Sequence, residues 1–145
     1  MASDHAGFEL KRVLIESPFP VQWSDLGPDS AESVDYPDFA DLVCDQVRKN
    51  VVQVGVLICG SGIGMSIRAN RYPGIRAALC LTPEMAALSR QHNDANVLVL
   101  GARLTPSEQA IAILQTFITT EFEGGRHQKR VTKIDKEIKP LISEE

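Results

Sequence analysis

An almost unbroken apolar run, Val54-Gly-Val-Leu-Ile-Cys59, passes straight into Gly60-Ser-Gly-Ile-Gly64 and then into a segment with helical periodicity. A strand that is apolar on both faces has to be covered on both faces, which is the condition of a central strand in a parallel sheet. The same order recurs along the chain. Arg76–Leu81 and Val97–Leu100 read as further buried strands, and the more polar Val21–Asp25 as a weaker one. Between them, helices are expected near Phe8–Ser17, Asp38–Asn50, Ile63–Asn70, Pro83–His92 and Pro106–Phe122. Glu123-Gly-Gly125 interrupts the last, and a charged helix follows from about Arg126. Strands alternating with helices predict βαβ units. The fold expected is therefore α/β: a three-layer, Rossmann-like arrangement with a parallel sheet of about five strands flanked by helices. At 145 residues, with no repeat or linker, the chain reads as one domain, 1–145. The amino end is unusual, because only Met1-Ala-Ser3 precedes Asp4-His5, which fits either a very short first strand or residues upstream of this numbering.

Ligands of an open parallel sheet bind beyond the carboxyl ends of its strands. Those ends carry Asp4-His5, the loop from Cys59 to Gly64, and Gly101-Ala-Arg103. Glycines let backbone approach a ligand closely, and a following helix start offers free N–H groups. Such a loop can hold a phosphate or stabilise developing oxygen charge; it can equally be a plain tight turn. A dinucleotide fingerprint needs GxGxxG, and here Met65 occupies the sixth position. A Walker A loop needs Gly-Lys-Ser/Thr, and no lysine occurs between Lys49 and Lys129. A cysteine phosphatase would want an arginine where Met65 stands.

Free cysteines are usually buried and behave as small hydrophobes. That reading suits Cys44, on the apolar face of a helix with Phe39, Ala40, Val43 and Val47, and Cys80, inside a strand. Cys59 differs, since a helix amino terminus beside it would favour the thiolate. It is a candidate base or nucleophile. His92, in Ser89-Arg-Gln-His-Asn-Asp-Ala-Asn96, reads either as a surface or capping residue or as part of a site. Arg126 and Arg130 stand four apart, a spacing that on a helix allows a two-pronged grip on phosphate. In isolation it fits a solvated basic patch at least as well.

Composition removes several classes. Hydrophobic residues at 43% and charged residues at 23% are ordinary globular values and argue against disorder. A net charge of −4 leaves no footprint for nucleic acid. No run reaches the roughly 18 apolar residues of a membrane span. The first residues do not resemble a signal peptide, so the cytoplasm is expected. Three widely spaced cysteines suggest neither a disulfide framework nor a CxxC zinc site.

Taken together, Ser3–Phe8 (SDHAGF), Asp35-Tyr-Pro37, Ile58–Gly64, Ala69-Asn-Arg71, Pro73–Ala77, Arg90-Gln-His-Asn-Asp94, Leu100-Gly-Ala-Arg103 and Glu123-Gly-Gly-Arg-His127 resemble the type B ribose-5-phosphate isomerases. The resemblance covers essentially the whole chain, and its most specific segments are RQHND and EGGRH. It implies an aldose–ketose isomerase that interconverts ribose 5-phosphate and ribulose 5-phosphate through an enediolate, with no metal and no cofactor. Cys59 would move the proton between C1 and C2, and His92 would open the furanose ring as a general acid. Asp4, His5, Tyr36, Asn93 and Arg103 would contact the sugar or its phosphate, with Arg126 and Arg130 at the phosphate end. Gly60, Ser61, Gly62, Ile63 and Gly64 would supply backbone donors, Ser61 adding a hydroxyl to the catalytic set. One branch of the family uses a loop glutamate in place of the cysteine. No carboxylate occurs from Gly60 to Asn70 here, and Met65 stands near that position. The resemblance further implies a homodimer, or a tetramer, with active sites at the subunit interface and a sugar phosphate as small-molecule partner. Two other readings stay open: a six-carbon substrate such as galactose 6-phosphate or allose 6-phosphate, and a non-catalytic sugar-phosphate-binding module.

Overall fold

The computed structural model describes residues 1–139; the last six residues of the expected domain, 140–145, lie outside it. Four parallel strands, β1 (Ala2–Ser3), β2 (Gly55–Cys59), β3 (Ala77–Leu79) and β4 (Val97–Gly101), form one sheet in the order β1-β2-β4-β3. The described residues also form six α-helices: α1 (Phe8–Glu16), α2 (Tyr36–Arg48), α3 (Ile63–Ala69), α4 (Pro83–Asn93), α5 (Ser107–Thr119) and α6 (Gln128–Ile134). A one-turn 3-10 helix, Gly125–His127, leads into α6.

The three layers follow from the alternation of side chains along the strands. Val56 and Ile58 of β2, with Leu98 and Leu100 of β4, pack against Leu10 and Leu14 of α1, Ala86 of α4, and Ile113, Leu114 and Phe117 of α5. Leu57 and Cys59, with Val97 and Val99, face the other way onto Val43, Cys44 and Val47 of α2 and Met65 and Ala69 of α3. Both faces of β2 and β4 are thus dry, which is why the sequence shows apolar runs there. No helix among the described residues is long and apolar enough to cross a membrane.

The expected fifth strand, Val21–Asp25, does not form. Instead three hydrogen bonds tie residues 24–27 to Met1–Ser3: Met1 N to Ser24 O, Leu26 N to Met1 O and Ser3 N to Gly27 O. The segment runs along the free edge of β1, but β1 is two residues long and offers too few partners for a regular ladder. Several boundaries also move. The strand expected at Arg76–Leu81 contracts to Ala77–Leu79, α2 starts at Tyr36 rather than Asp38, and α5 ends at Thr119 rather than Phe122.

The long connection from α1 to α2 is held by a buried cation. Lys11, 1% exposed, donates from Nζ to Asp25 Oδ1 and to the Pro28 carbonyl, each at 2.7 Å. A buried ammonium without such partners would be strongly disfavoured. Fixing this connection sets Val34 beside His5 at the carboxyl edge of the sheet.

Candidate functional site

Beyond the carboxyl ends of β1, β2 and β4 lies an open cleft of about 570 Å³. Asp4, Tyr36, Cys59, Gly60, Ser61, Ile63, Gly64, Ile67, Arg103 and Leu104 line it. Most of the expected ligands therefore meet here. The loop after β2 and the turn after β4 are tied together by hydrogen bonds from Ala102 N to Cys59 O (2.8 Å) and Arg103 N to Gly60 O (2.9 Å). Two glycines make that approach possible. Gly62 sits at φ +78°, and a Cβ there would lie 2.5 Å from Leu79 Cδ1. A Cβ on Gly101 would lie 2.5 Å from the Ser61 carbonyl oxygen.

Within this frame the side chains have defined roles. Asp4 is buried, and its Oδ1 accepts the Gly7 N–H at 3.0 Å, which locks the carboxylate at the end of β1. His5 Nδ1 accepts the Val34 N–H at 3.2 Å, so the neutral ring carries its proton on Nε2 and can donate from there. The Tyr36 ring covers the first turn of α3 so closely that a Cβ on Gly64 would lie 2.9 Å from its hydroxyl. Ser61 Oγ accepts the Ile63 N–H at 3.2 Å and caps the loop. The Arg103 guanidinium lies across Gly60, its Nη1 3.1 Å from where a Cβ would stand. Met65, at the position of the alternative glutamate, is fully buried in the core.

Cys59 is the cysteine that lines the cleft. Burial pushes the thiols of Cys44 and Cys80 up to about 11, the nearby Asp41 carboxylate adding to the effect at Cys44. Both therefore stay protonated and shielded near neutral pH. Brief treatment of the folded protein with iodoacetamide should accordingly label Cys59 alone, and mass spectrometry of the digest reads the outcome. Equal labelling of Cys44 or Cys80 would contradict this placement.

The rest of the expected constellation lies elsewhere. Helix α4 runs back from the end of β3, so His92 and Asn93 at its carboxyl end reach the amino edge of the sheet. There Asn96 N bonds to Arg76 O and Gly55 N bonds to Asn96 O, joining the residues after α4 to the starts of β3 and β2. Arg76 fixes the same corner by donating to the carbonyls of Asn93 and Asp94 and pairing with Asp135 at 2.7 Å. A strand of five residues spans about 13 Å, so within one chain His92 and Cys59 stand at opposite edges of the sheet. A larger hollow, about 930 Å³, opens on this second edge between residues 70–78, Asn93, Ala95 and residues 134–138. Its carboxylates are Asp135, which is paired with Arg76, and Glu137.

At the second edge a residue that sequence reasoning did not single out becomes prominent. His127 is buried and stacks on His92, with ring centroids 4.4 Å apart and planes 14° from parallel. Its Nε2 is 3.5 Å from Glu123 Oε2. Burial, then His92 and Arg126, hold its imidazole below the ordinary range against the opposing pull of Glu123. Only its place in the EGGRH segment hinted at it. Arg126 falls in the 3-10 turn rather than in the helix expected from that residue, while Arg130 lies in α6; both are exposed. Arg68, Arg76 and Arg90 are tied to aspartates. Among the described residues Arg103, Arg126 and Arg130 have no such carboxylate partner and keep their charge available for an anion.

An α/β sheet whose carboxyl edge presents a cysteine on a glycine-rich loop beside Arg103, which has no carboxylate partner, defines a protein built to handle a small anionic metabolite. The Ribose/Galactose Isomerase family model matches residues 1–134, and the chain belongs to that family. The chain is 45% identical to ribose-5-phosphate isomerase B of Escherichia coli over 133 residues, 90% of this chain and 89% of that one. A ribose 5-phosphate isomerase from Thermotoga maritima superposes with a TM-score of 0.89 at 52% identity, covering 92% of this chain and 94% of that chain. Ribose-5-phosphate isomerase B from Mycoplasma genitalium, solved with bound ribulose-5-phosphate, gives 0.87 at 45% identity over 92% and 91%.

Proposed function

We propose that this protein interconverts ribose 5-phosphate and ribulose 5-phosphate, with Cys59 as the base. The observation that carries the reading is Cys59 at the end of β2, facing a cleft floored by the Gly60–Gly64 backbone and flanked by Arg103. A proton next to a carbonyl becomes removable when the charge on the enediolate oxygen is stabilised. Preorganised N–H donors supply that, each worth about 2.7–4 kcal/mol in comparable sites. Cys59 takes the proton from one carbon and returns it to the neighbouring one. Asp4, His5, Tyr36 and Ser61 orient the sugar hydroxyls. His92 donates a proton to the ring oxygen to open the furanose, Asn93 holds the sugar beside it, and Arg126 and Arg130 hold the phosphate.

For these groups to act on one substrate, the cleft of one chain has to meet the second edge of another. We therefore propose a homodimer with two equivalent shared sites. The rim of the cleft supports this, since Ile63, Ile67 and Leu104 stand 52%, 61% and 60% exposed around it. Clustered apolar side chains of this kind mark contact surfaces.

An isomerisation assay on ribose 5-phosphate, run with and without a chelator, tests the reading. Turnover should survive the chelator; no turnover on the pentose with turnover on galactose 6-phosphate or allose 6-phosphate would transfer the assignment to a six-carbon substrate. His92→Ala should lose about a hundred- to ten-thousand-fold on cyclic ribose 5-phosphate, yet retain more on a substrate that cannot cyclise. Equal losses on both would remove the ring-opening role.

A further inference from the structure

The isomerisation proposed above gives Glu123 no task, yet it stands against two imidazoles. One donor atom from each of His92, Glu123 and His127 lies within 4.8 Å of the other two. We propose that these three residues form a binding site for a late divalent transition ion, Zn2+ foremost, and that occupancy silences the protein. Two imidazoles and one carboxylate are a donor set that zinc takes in catalytic sites with an open fourth position. Among divalent first-row ions such a set favours the late members.

The frame that carries the donors is rigid. Glu123 N donates to Gln91 O at 3.1 Å, and Arg90 Nε donates to Thr120 O at 3.2 Å. The residues after α5 are thereby fastened to the last turn of α4, beside His92. His127 is buried and fixed, whereas His92 is half-buried and the Glu123 side chain is 52% exposed. A tetrahedral ion at about 2.1 Å from each donor sets the donors about 3.4 Å apart. The Glu123–His127 pair, at 3.5 Å, already has that spacing. His92 has to turn out of its stack so that the ion can lie in the planes of both rings. The ion also replaces the 3.5 Å contact that Arg126 Nε makes to His127 Nε2.

The consequence rests on the proposed function. Ligation turns His92 out of its stack and uses one ring nitrogen as a lone-pair donor to the ion, so the ring no longer stands where it can protonate the furanose oxygen.

The test begins with the whole protein freed of metal by a chelator and then titrated with Zn2+ against a chromophoric competitor. One ion per chain is expected, and Co2+ at the same place should give the visible absorption of a four-coordinate ion. Glu123→Gln should weaken binding at least tenfold while leaving turnover without metal unchanged, and His127→Ala should weaken it similarly. In the native chain Zn2+ should suppress turnover on cyclic ribose 5-phosphate, reversibly on adding chelator, and Glu123→Gln should resist. Unchanged zinc affinity in Glu123→Gln would overturn the site. Binding that depends on Glu123 but leaves turnover on the cyclic substrate intact would sustain the site and sink the role given to His92.

Discussion

Two inactive variants mixed together should recover about a quarter of the native turnover. One carries Cys59→Ala; the other carries Arg126→Ala and Arg130→Ala, or alternatively His92→Ala. The reason is geometric. Cys59 lies at the carboxyl edge of the sheet in the cleft, while His92 and Asn93 lie at the amino edge beside Arg76, with His127 stacked on His92. A two-fold dimer that brings opposite edges together has one site spoiled twice and one intact in every hybrid. Random exchange makes half the dimers hybrids, so about one site in four is intact. Activity should rise with the time allowed for subunit exchange and follow the binomial ratio of the two chains. A fully active monomer in sedimentation would sink the shared site. Failed rescue in a demonstrated dimer would show that these particular groups serve one chain's own cleft.

Cys59→Ala should abolish isomerisation while the protein stays folded. A positioned base contributes about a hundred- to ten-thousand-fold, equivalent to about 2.7–5.5 kcal/mol of barrier. The structural cost is far smaller. Cys59 ends a strand between Met65 and the cleft, and losing one sulfur atom there removes on the order of 1 kcal/mol of packing. Kinetics and thermal unfolding measured on the same sample separate the two effects. A well-folded variant with near-native turnover would remove Cys59 from the role of base.

Where the sequence was readable, local chemistry was strong. The dry strands β2 and β4 announced themselves because both faces are buried, so periodicity collapses into a continuous apolar run. The glycine loop was legible for a related reason. Gly62 and Gly101 are required where Leu79 and the Ser61 backbone come close, and such needs leave glycines in place. Val21–Asp25 misled because β-propensity says nothing about whether a partner strand is long enough to pair with. His127 is not legible in the sequence, since a single histidine in a basic segment carries no periodic signal. Its importance comes from a ring stacked on it from a distant helix.

By itself, then, the sequence determined the parallel α/β order, the loop that ends β2, and the identities of the residues that could do chemistry. All of these are written in neighbouring residues, through side-chain periodicity and the steric demands of single turns. What the tertiary structure decided is which of those residues can meet. Because helices in βαβ units run antiparallel to their strands, the carboxyl end of α4 is carried to the opposite edge from the carboxyl end of β2. Cys59 and His92 are thereby separated by the length of a strand, while His92, from a distant helix, is brought within reach of a single ion shared with Glu123 and His127.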